Sequence, residues 1–211
     1  MASRKITVIS VVVAVLVVAA SLLVYQGYYG GYSEHTLSGF VPTSPREAAD
    51  FTLTDHNGNK FTLSSTRGQV VLLYFGYTHC PDACPATLAN YRWLQEGLVP
   101  AAPVTYVMVT VDPARDTPET LNKFIEKFGI NAVGLTGSHE ELAPVWSMYG
   151  IAVEIEDEQG SHHEADESEY TVGHVTLIYL IDKKGYIRTM YPLGVFNEDI
   201  RSDIEALLRE R

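Results

Sequence analysis

Cysteines and basic residues are scarce in this sequence, and these two shortages exclude several classes of protein. Only two cysteines, Cys80 and Cys84, occur among 211 residues. They are too few for the multi-bridge framework of a small secreted domain, so they form a short-loop disulfide, a redox pair or part of a metal site. The 15 Lys and Arg residues against 26 Asp and Glu give a net charge of −11. This charge argues against nucleic-acid binding and against a basic patch that binds anionic membranes.

Long apolar runs are also scarce, and the longest lies near the N-terminus. Residues 1–5 are basic without an acid, and the apolar stretch from Ile6 to Tyr25 follows. Its length of about 20 residues is that of a helix that crosses a bilayer. A cleaved signal peptide is the alternative, but its apolar core would end after about 15 residues. We therefore predict an uncleaved anchor over 6–25, with Arg4 and Lys5 keeping residues 1–5 in the cytoplasm.

The remainder of the chain divides into a linker and a folded domain. Residues 26–49 contain several Gly and Pro and predict a linker, and residues 50–211 predict the domain. No Arg- and Ser-rich amphipathic transit segment precedes the apolar run, which favours a bacterial membrane over an organelle. We predict a single-pass protein of the bacterial inner membrane, with its C-terminal domain on the periplasmic side.

The pattern of the domain is that of strands alternating with helices. Val70 to Phe75 is a continuous apolar run, which is typical of a strand buried on both faces. The predicted strands are 51–54, 60–63, 70–75, 104–111, 132–135, 153–155, 174–182 and 186–191, and the predicted helices are 86–98, 118–127, 140–149 and 199–208. Such an order predicts an α/β mixed sheet flanked by helices on both faces. With a cysteine pair after the first buried strand, the thioredoxin-like fold is the best match.

The cysteine pair follows that buried strand at the expected start of a helix, because Pro81 and Asp82 favour a first helical turn. The N-terminus of a helix lowers the pKa of a thiol, which favours a reactive pair over a structural disulfide. On a helix, positions i and i+4 share a face, so two thiolates at Cys80 and Cys84 could converge on one soft metal ion. Cys-x-x-Cys is the more usual spacing for disulfide exchange, but a reductase remains open.

Three motifs, in order, resemble the signature stretches of the Sco/SenC family. They are Gly76–Pro85 (GYTHCPDACP), Asp112–Glu119 (DPARDTPE), and Tyr170–His174 (YTVGH) with the following Tyr179–Asp182. The resemblance spans about residues 45–210 and agrees with the predicted anchor. Members of this family are membrane-anchored, thioredoxin-like copper proteins that serve cytochrome c oxidase assembly.

The resemblance implies a copper site of Cys80, Cys84 and His174. Two thiolates satisfy Cu(I), and a third, imidazole ligand accommodates Cu(II) as well. The implied function is a metallochaperone that delivers copper to the dinuclear copper site of a cytochrome c oxidase subunit. Other implied partners are a copper donor and a thiol reductant. The alternative is a membrane-anchored thiol–disulfide reductase that keeps the acceptor's cysteines reduced, and a redoxin-type peroxidase is a third, weaker hypothesis.

Two features leave the details of this site open. Gly173 stands where the family usually has Asp, which could loosen the loop of His174 or remove a hydrogen bond behind the ligand. His162 and His163 lie in an acidic run, 154–169, that has eight acids and no Lys or Arg. This run is either a solvated loop or a segment that recruits copper or a partner. We expect His79, which adjoins Cys80, to tune that ligand at most and not to bind the metal itself.

Overall fold

The computed structural model describes residues 15–21, 36–44, 46–157, 170–174, 176–195 and 197–210. At 155–157, 170, 171 and 174 it describes the backbone and not the side chains. Most of the predicted anchor, the predicted cytoplasmic residues 1–5, and both His162 and His163 lie outside the described residues. Residues 15–21 are helical, and no helix of the described chain has both the length and the apolar character needed to cross a membrane. The chain divides into a unit Met1–Thr36 and a unit Leu37–Arg211.

The described residues of the second unit form two sheets. The strands are β1 Arg46–Glu47, β2 Thr52–Asp55, β3 Lys60–Thr62, β4 Val70–Gly76, β5 Val104–Thr110, β6 Val133–Thr136, β7 Val153–Asp157, β8 Tyr170–His174, β9 Leu177–Ile181 and β10 Tyr186–Pro192. Eight of them form a mixed sheet in the order β1-β10-β9-β4-β5-β6-β2-β3, in which β4, β5 and β6 are parallel. The strands β7 and β8 pair only with each other among the described residues, and we call this antiparallel pair the ribbon.

Helices cover both faces of the eight-stranded sheet. They are α1 Ala83–Gly97, α2 Pro118–Phe128, α3 His139–Tyr149 and α4 Asn197–Arg209, with a 3₁₀ turn at Leu63–Thr66. Neighbouring residues of β4 show the two layers, because successive side chains of a strand point to opposite faces. Tyr74 contacts Cys84 of α1, whereas the ring of Phe75 lies 5.3 Å from that of Tyr149 in α3. The predicted α/β architecture, a mixed sheet flanked by helices, is confirmed.

The strand β4 is the centre of the molecule and carries the cysteine segment at its end. All seven of its residues are buried, since it pairs with β5 on one side and β9 on the other and has helices on both faces. Its continuous apolar run is therefore what a doubly covered central strand requires. The chain leaves β4 at Gly76, where the carboxyl ends of β4 and β5 meet and Val111 donates its N–H to the carbonyl of Gly76.

The structure differs from the sequence prediction at the start of the domain and at residues 174–182. The folded unit begins before Asp50, because Arg46 and Glu47 pair with β10 and Ser38 donates its N–H to Asp203. The segment makes these hydrogen bonds with its own backbone groups, which a Gly- and Pro-containing segment can do without apolar side chains. The predicted strand 174–182 is two strands in different sheets, and His174 ends the first of them instead of starting the second.

Candidate metal centre

The two cysteines flank the start of α1, just beyond the carboxyl end of β4. The helix begins at Ala83, with Asp82 as its N-cap, so it is three residues longer at its start than predicted. Cys84 therefore lies in the first turn, and Cys80 precedes the helix instead of sharing a helical face with Cys84. A turn closed by the Cys80 N–H and the Tyr77 carbonyl, 3.4 Å apart, returns the chain toward the helix.

Both cysteines are free thiols, and they differ in exposure and in acidity. Cys84 is fully buried, and Cys80 is half-buried and reaches the surface. The Cys84 amide N–H donates to the Cys80 sulfur at 3.4 Å. A hydrogen bond from the Cys84 thiol, helped by the backbone N–H groups at the helix start, lowers the pKa of Cys80 to about 5. The same hydrogen bond, together with burial, raises the pKa of Cys84 above its ordinary value. In the metal-free protein Cys80 is therefore the thiolate at neutral pH.

Three groups of β4 and the following loop fix the position of the buried sulfur. The hydroxyl of Tyr74 donates to the Cys84 sulfur at 3.2 Å, and the Tyr77 N–H does so at 3.4 Å. Gly76 provides the space, since a Cβ on it would lie 2.5 Å from the Tyr74 ring and 2.8 Å from the Cys84 sulfur. These donors favour a thiolate on Cys84 once a cation displaces its proton.

A buried carboxylate ties the cysteine loop to the next strand. Asp116 is fully buried and accepts hydrogen bonds from the Thr78 hydroxyl at 2.6 Å, the Thr78 N–H at 3.1 Å and the Thr110 hydroxyl at 2.6 Å. Burial raises the pKa of Asp116, and these hydrogen bonds oppose the rise. Asp112, four residues earlier, pairs with Arg115 at 2.5 Å. The second sequence motif thus supports the cysteine loop from the side of β5.

The atoms of His79, Asp112 and Asp116 that could bind a metal lie within 4.8 Å of one another. Asp112 is already paired with Arg115, and Asp116 accepts hydrogens from two threonines. His79 is exposed, and its Nδ1 lies 3.1 Å from the Thr78 hydroxyl. Carboxylates with such partners are typical of a hydrogen-bond network that shapes a loop. We therefore assign these residues to the support of the cysteine loop.

The third predicted ligand, His174, lies at the end of the ribbon. Its backbone pairs with Val153, and its side chain is outside the described residues. Two residues earlier, Val172 is buried and donates its N–H to the hydroxyl of Tyr77 at 3.3 Å. The strand that ends at His174 therefore contacts the cysteine loop, through Tyr77.

Sequence reasoning did not identify Tyr74 or Tyr77 as parts of the site. One signal was present: Tyr74 is the only hydroxyl-bearing residue in the apolar run Val70–Phe75, and a buried tyrosine hydroxyl needs a partner. Nothing local marks the contact of Asp116 with Thr78, because the two residues are 38 positions apart.

Two converging sulfurs, one of them ionised, can form a disulfide or bind a soft metal ion. The sheet, the flanking helices and this dithiol together define a thioredoxin-like dithiol protein. The SCO1/SenC family model matches residues 42–209. This chain belongs to the SCO1/SenC family.

Individual relatives agree with the family match. The chain is 35% identical over 161 residues to the mitochondrial SCO2 homolog of Bos taurus, covering 74% of this chain and 57% of that protein. It is 30% identical over 169 residues to sco1 of Schizosaccharomyces pombe, covering 79% and 63%. The chain thus spans less than two thirds of the length of these two relatives. It is also 34% identical to the SCO2-like protein RP587 of Rickettsia prowazekii, covering 67% of each chain.

Solved structures of the family share the fold. Copper-bound ScoI of Bradyrhizobium japonicum superposes with a TM-score of 0.67 at 31% identity, covering 76% of this chain and 99% of that one. The apo Sco1 protein of Thermus thermophilus gives a TM-score of 0.71 at 31% identity, covering 83% and 99%.

Proposed function

We propose that this protein binds one copper ion through Cys80, Cys84 and His174 and passes it to the copper-site subunit of a cytochrome c oxidase. Its family membership supports this, since the related ScoI of Bradyrhizobium japonicum has been solved with copper bound. The observation that carries the proposal is the convergent dithiol, in which the Cys84 N–H lies 3.4 Å from the Cys80 sulfur. Copper is cargo in this function, held for transfer.

The surroundings of the dithiol suit a soft cation that must later leave. Cys84 is buried and hydrogen-bonded, which gives a fixed ligand, whereas the half-buried Cys80 can be reached by an incoming protein. Transfer would proceed by ligand exchange, in which thiolates of the acceptor replace Cys80 first and Cys84 afterwards. Both cysteines must be reduced to bind the ion, which couples copper loading to the thiol redox state.

The proposal includes attachment to the bacterial inner membrane by residues 6–25, with the domain on the periplasmic side. The support is the length of the apolar run and the basic residues before it. A membrane anchor would restrict the search for a membrane-bound acceptor to two dimensions and raise the effective concentration.

The direct test is an anaerobic titration of the reduced full chain, in detergent, with Cu(I) and Cu(II) against competing chelators. We expect one tight copper per chain, abolished in Cys84→Ser. In His174→Ala we expect Cu(II) affinity to fall by more than about tenfold, and Cu(I) affinity to fall less. His139→Ala is the matched control, because His139 is an exposed histidine whose ring packs on Trp146. Weak binding of both ions by the unsubstituted chain would refute the proposal.

One observation favours a second candidate, the thiol–disulfide reductase. The unequal thiols, an accessible Cys80 with a pKa of about 5 and a buried Cys84, suit disulfide exchange. In that reaction the Cys80 thiolate attacks a disulfide of the acceptor and releases one acceptor thiolate. Cys84, after losing its proton, then attacks the sulfur of Cys80 and releases the second. Two electrons pass to the acceptor, and a Cys80–Cys84 disulfide forms.

The two functions separate in His174→Ala. The reductase needs only the two thiols, so this variant should reduce a disulfide-containing acceptor domain at the rate of the unsubstituted chain. Delivery of Cu(II) to the reduced acceptor domain should fall in the same variant. Unchanged copper delivery together with unchanged reduction would remove His174 from both functions.

A further inference from the structure

The ribbon reaches the site without joining the main sheet. Among the described residues, β7 and β8 pair with each other from Val153–His174 to Asp157–Tyr170 and with no strand of the eight-stranded sheet. Hydrogen-bond ladders therefore do not fix the distance between the ribbon and the cysteine loop. Other contacts contribute to it, and among the described residues Tyr77 makes one from the cysteine loop.

Tyr77 contacts both halves of the proposed copper site. Its backbone N–H donates to the buried Cys84 sulfur at 3.4 Å, and its hydroxyl accepts the N–H of Val172 in β8 at 3.3 Å. The side chain is 2% exposed, and the guanidinium of Arg115 lies 5.9 Å from its ring centre. Tyr77 is thus enclosed, and one residue spans from the buried thiol to the ribbon.

The contact falls close to the third predicted ligand. Val172 is two residues before His174, and its side chain is 3% exposed. Residues two apart belong to the same face of a strand, so Val172 and His174 occupy the same face of β8. Fixing the backbone at Val172 therefore fixes where the strand presents its last residue relative to the cysteines.

We propose that Tyr77 is a positioning residue: its hydroxyl holds β8 against the cysteine loop so that His174 is placed to complete a Cu(II) site. This inference rests on the proposed copper binding. It predicts an effect that depends on the oxidation state, because two thiolates satisfy Cu(I) whereas Cu(II) requires the imidazole. Loss of the hydroxyl should therefore weaken Cu(II) binding and leave Cu(I) binding near its original strength.

The test uses the full chain in detergent with the substitution Tyr77→Phe, which keeps the ring and removes the hydroxyl. We expect Cu(II) affinity to fall by about tenfold, as for groups that orient metal ligands. The metal-free protein gives an independent readout, since the Val172 amide should exchange with deuterium faster in the variant. Tyr179→Phe is the matched control, because its buried hydroxyl donates to the Tyr149 carbonyl at 2.6 Å away from the cysteines. This control should leave the ratio of Cu(II) to Cu(I) affinity unchanged.

A double-mutant cycle shows whether Tyr77 acts through His174. If it does, adding Tyr77→Phe to His174→Ala should cause no further loss of Cu(II) affinity. An unchanged ratio of Cu(II) to Cu(I) affinity in Tyr77→Phe would overturn the inference, whether both affinities stay the same or fall equally. The proposed copper site itself would stand. Failure of the unsubstituted chain to bind either ion would instead refute the proposed function, and with it the role of Tyr77 toward copper.

Discussion

The two halves of the proposed site belong to different sheets. The cysteine half, Tyr74–Cys84, continues the central strand β4, and both Tyr74 and Cys84 are fully buried. The half that carries His174 is the ribbon, which forms a sheet of its own. The first half is therefore enclosed by the core, whereas among the described residues the ribbon pairs with no strand of the main sheet and is contacted by Tyr77 at Val172.

This difference separates two kinds of substitution effect. A larger side chain in the cysteine half should disturb the core, so that folding and metal binding suffer together. A change in the ribbon should spare folding and act on the ligand that it carries. The predictions below test this separation, and the largest expected effect comes first.

Gly76→Ala should destabilise the fold more than any other change considered. The new Cβ would lie 2.5 Å from Tyr74 Cε1 and 2.8 Å from the Cys84 sulfur, and both groups are enclosed by the core. Overpacking of this kind costs about 3 kcal/mol. Urea denaturation of the metal-free chain measures the loss. A urea midpoint equal to that of the unsubstituted chain would show that the cysteine half is not rigid.

The matched control is Gly97→Ala, at the end of α1. A Cβ on Gly97 would meet only the flexible side chain of Arg201, at 3.1 Å from its Nη1. Because alanine favours a helix over glycine, this control should be neutral or stabilising by up to about 1 kcal/mol.

Cys84→Ala should raise the pKa of Cys80 without unfolding the protein. The hydrogen bond from Cys84 is the main cause of the pKa of about 5 at Cys80, and the backbone N–H groups of Asp82, Ala83 and Cys84 contribute the rest. Because burial of Cys80 opposes those backbone hydrogen bonds, the pKa should rise above 5 when the Cys84 thiol is removed. Alkylation by iodoacetamide measures it, since the rate follows the thiolate fraction and increases as pH rises through the pKa.

The unsubstituted metal-free chain is the reference for that titration. One fast-reacting thiol with a midpoint near 5, assigned to Cys80 by mass spectrometry, is expected. Equal reactivity of both thiols would contradict the burial of Cys84. An unchanged midpoint in Cys84→Ala would show that the helix N-terminus alone sets the acidity.

Local sequence patterns predicted the strand that carries the cysteine half, but not that Cys80 precedes α1 instead of sharing a helical face with Cys84. The apolar run Val70–Phe75 predicted β4, and the predicted helix over 118–127 matches α2, whose N-cap Thr117 accepts the Thr120 N–H through its hydroxyl. Strand alternation with helices also gave the mixed, doubly covered sheet.

Contacts between distant residues were not predictable in this way. Residues 174–182 read as one strand because apolar periodicity does not mark where a chain passes from one sheet to another. The support of Thr78 by Asp116, and that of β8 by Tyr77, join segments 38 and 95 residues apart. The proposed ligands followed from the family motifs, whereas the residues that position them required the fold.

Asp116→Asn should lower the free energy of unfolding by about 1 kcal/mol, the size of one buried hydrogen bond. Burial raises the pKa of Asp116 above its ordinary 3.8, so the folded state disfavours the charged form. The stability from this group is thus fully present below 3.8 and is lost as pH rises through the raised pKa. The unsubstituted chain should therefore exceed Asp116→Asn in free energy of unfolding by less and less as pH rises through the raised pKa. Urea denaturation at several pH values measures this difference. A difference in free energy of unfolding that grows with pH would mean that the pKa of Asp116 is lowered in the folded state instead of raised.

Gly173→Asp, which introduces the residue usual in the family, should have the smallest effect and should be confined to the ribbon. Position 173 pairs directly with Glu154 of β7, so a carboxylate there places two like charges opposite each other. Such cross-strand pairs are destabilising by less than about 1 kcal/mol, and salt reduces the effect. We expect Cu(II) affinity to fall slightly at low salt and to recover at high salt, with Cu(I) affinity unchanged. Gly173→Asn is the uncharged control and should show no salt dependence. Tighter Cu(II) binding by the aspartate variant would instead mean that its carboxylate orients His174, and that the ribbon of this chain lacks a hydrogen bond which the family pattern provides.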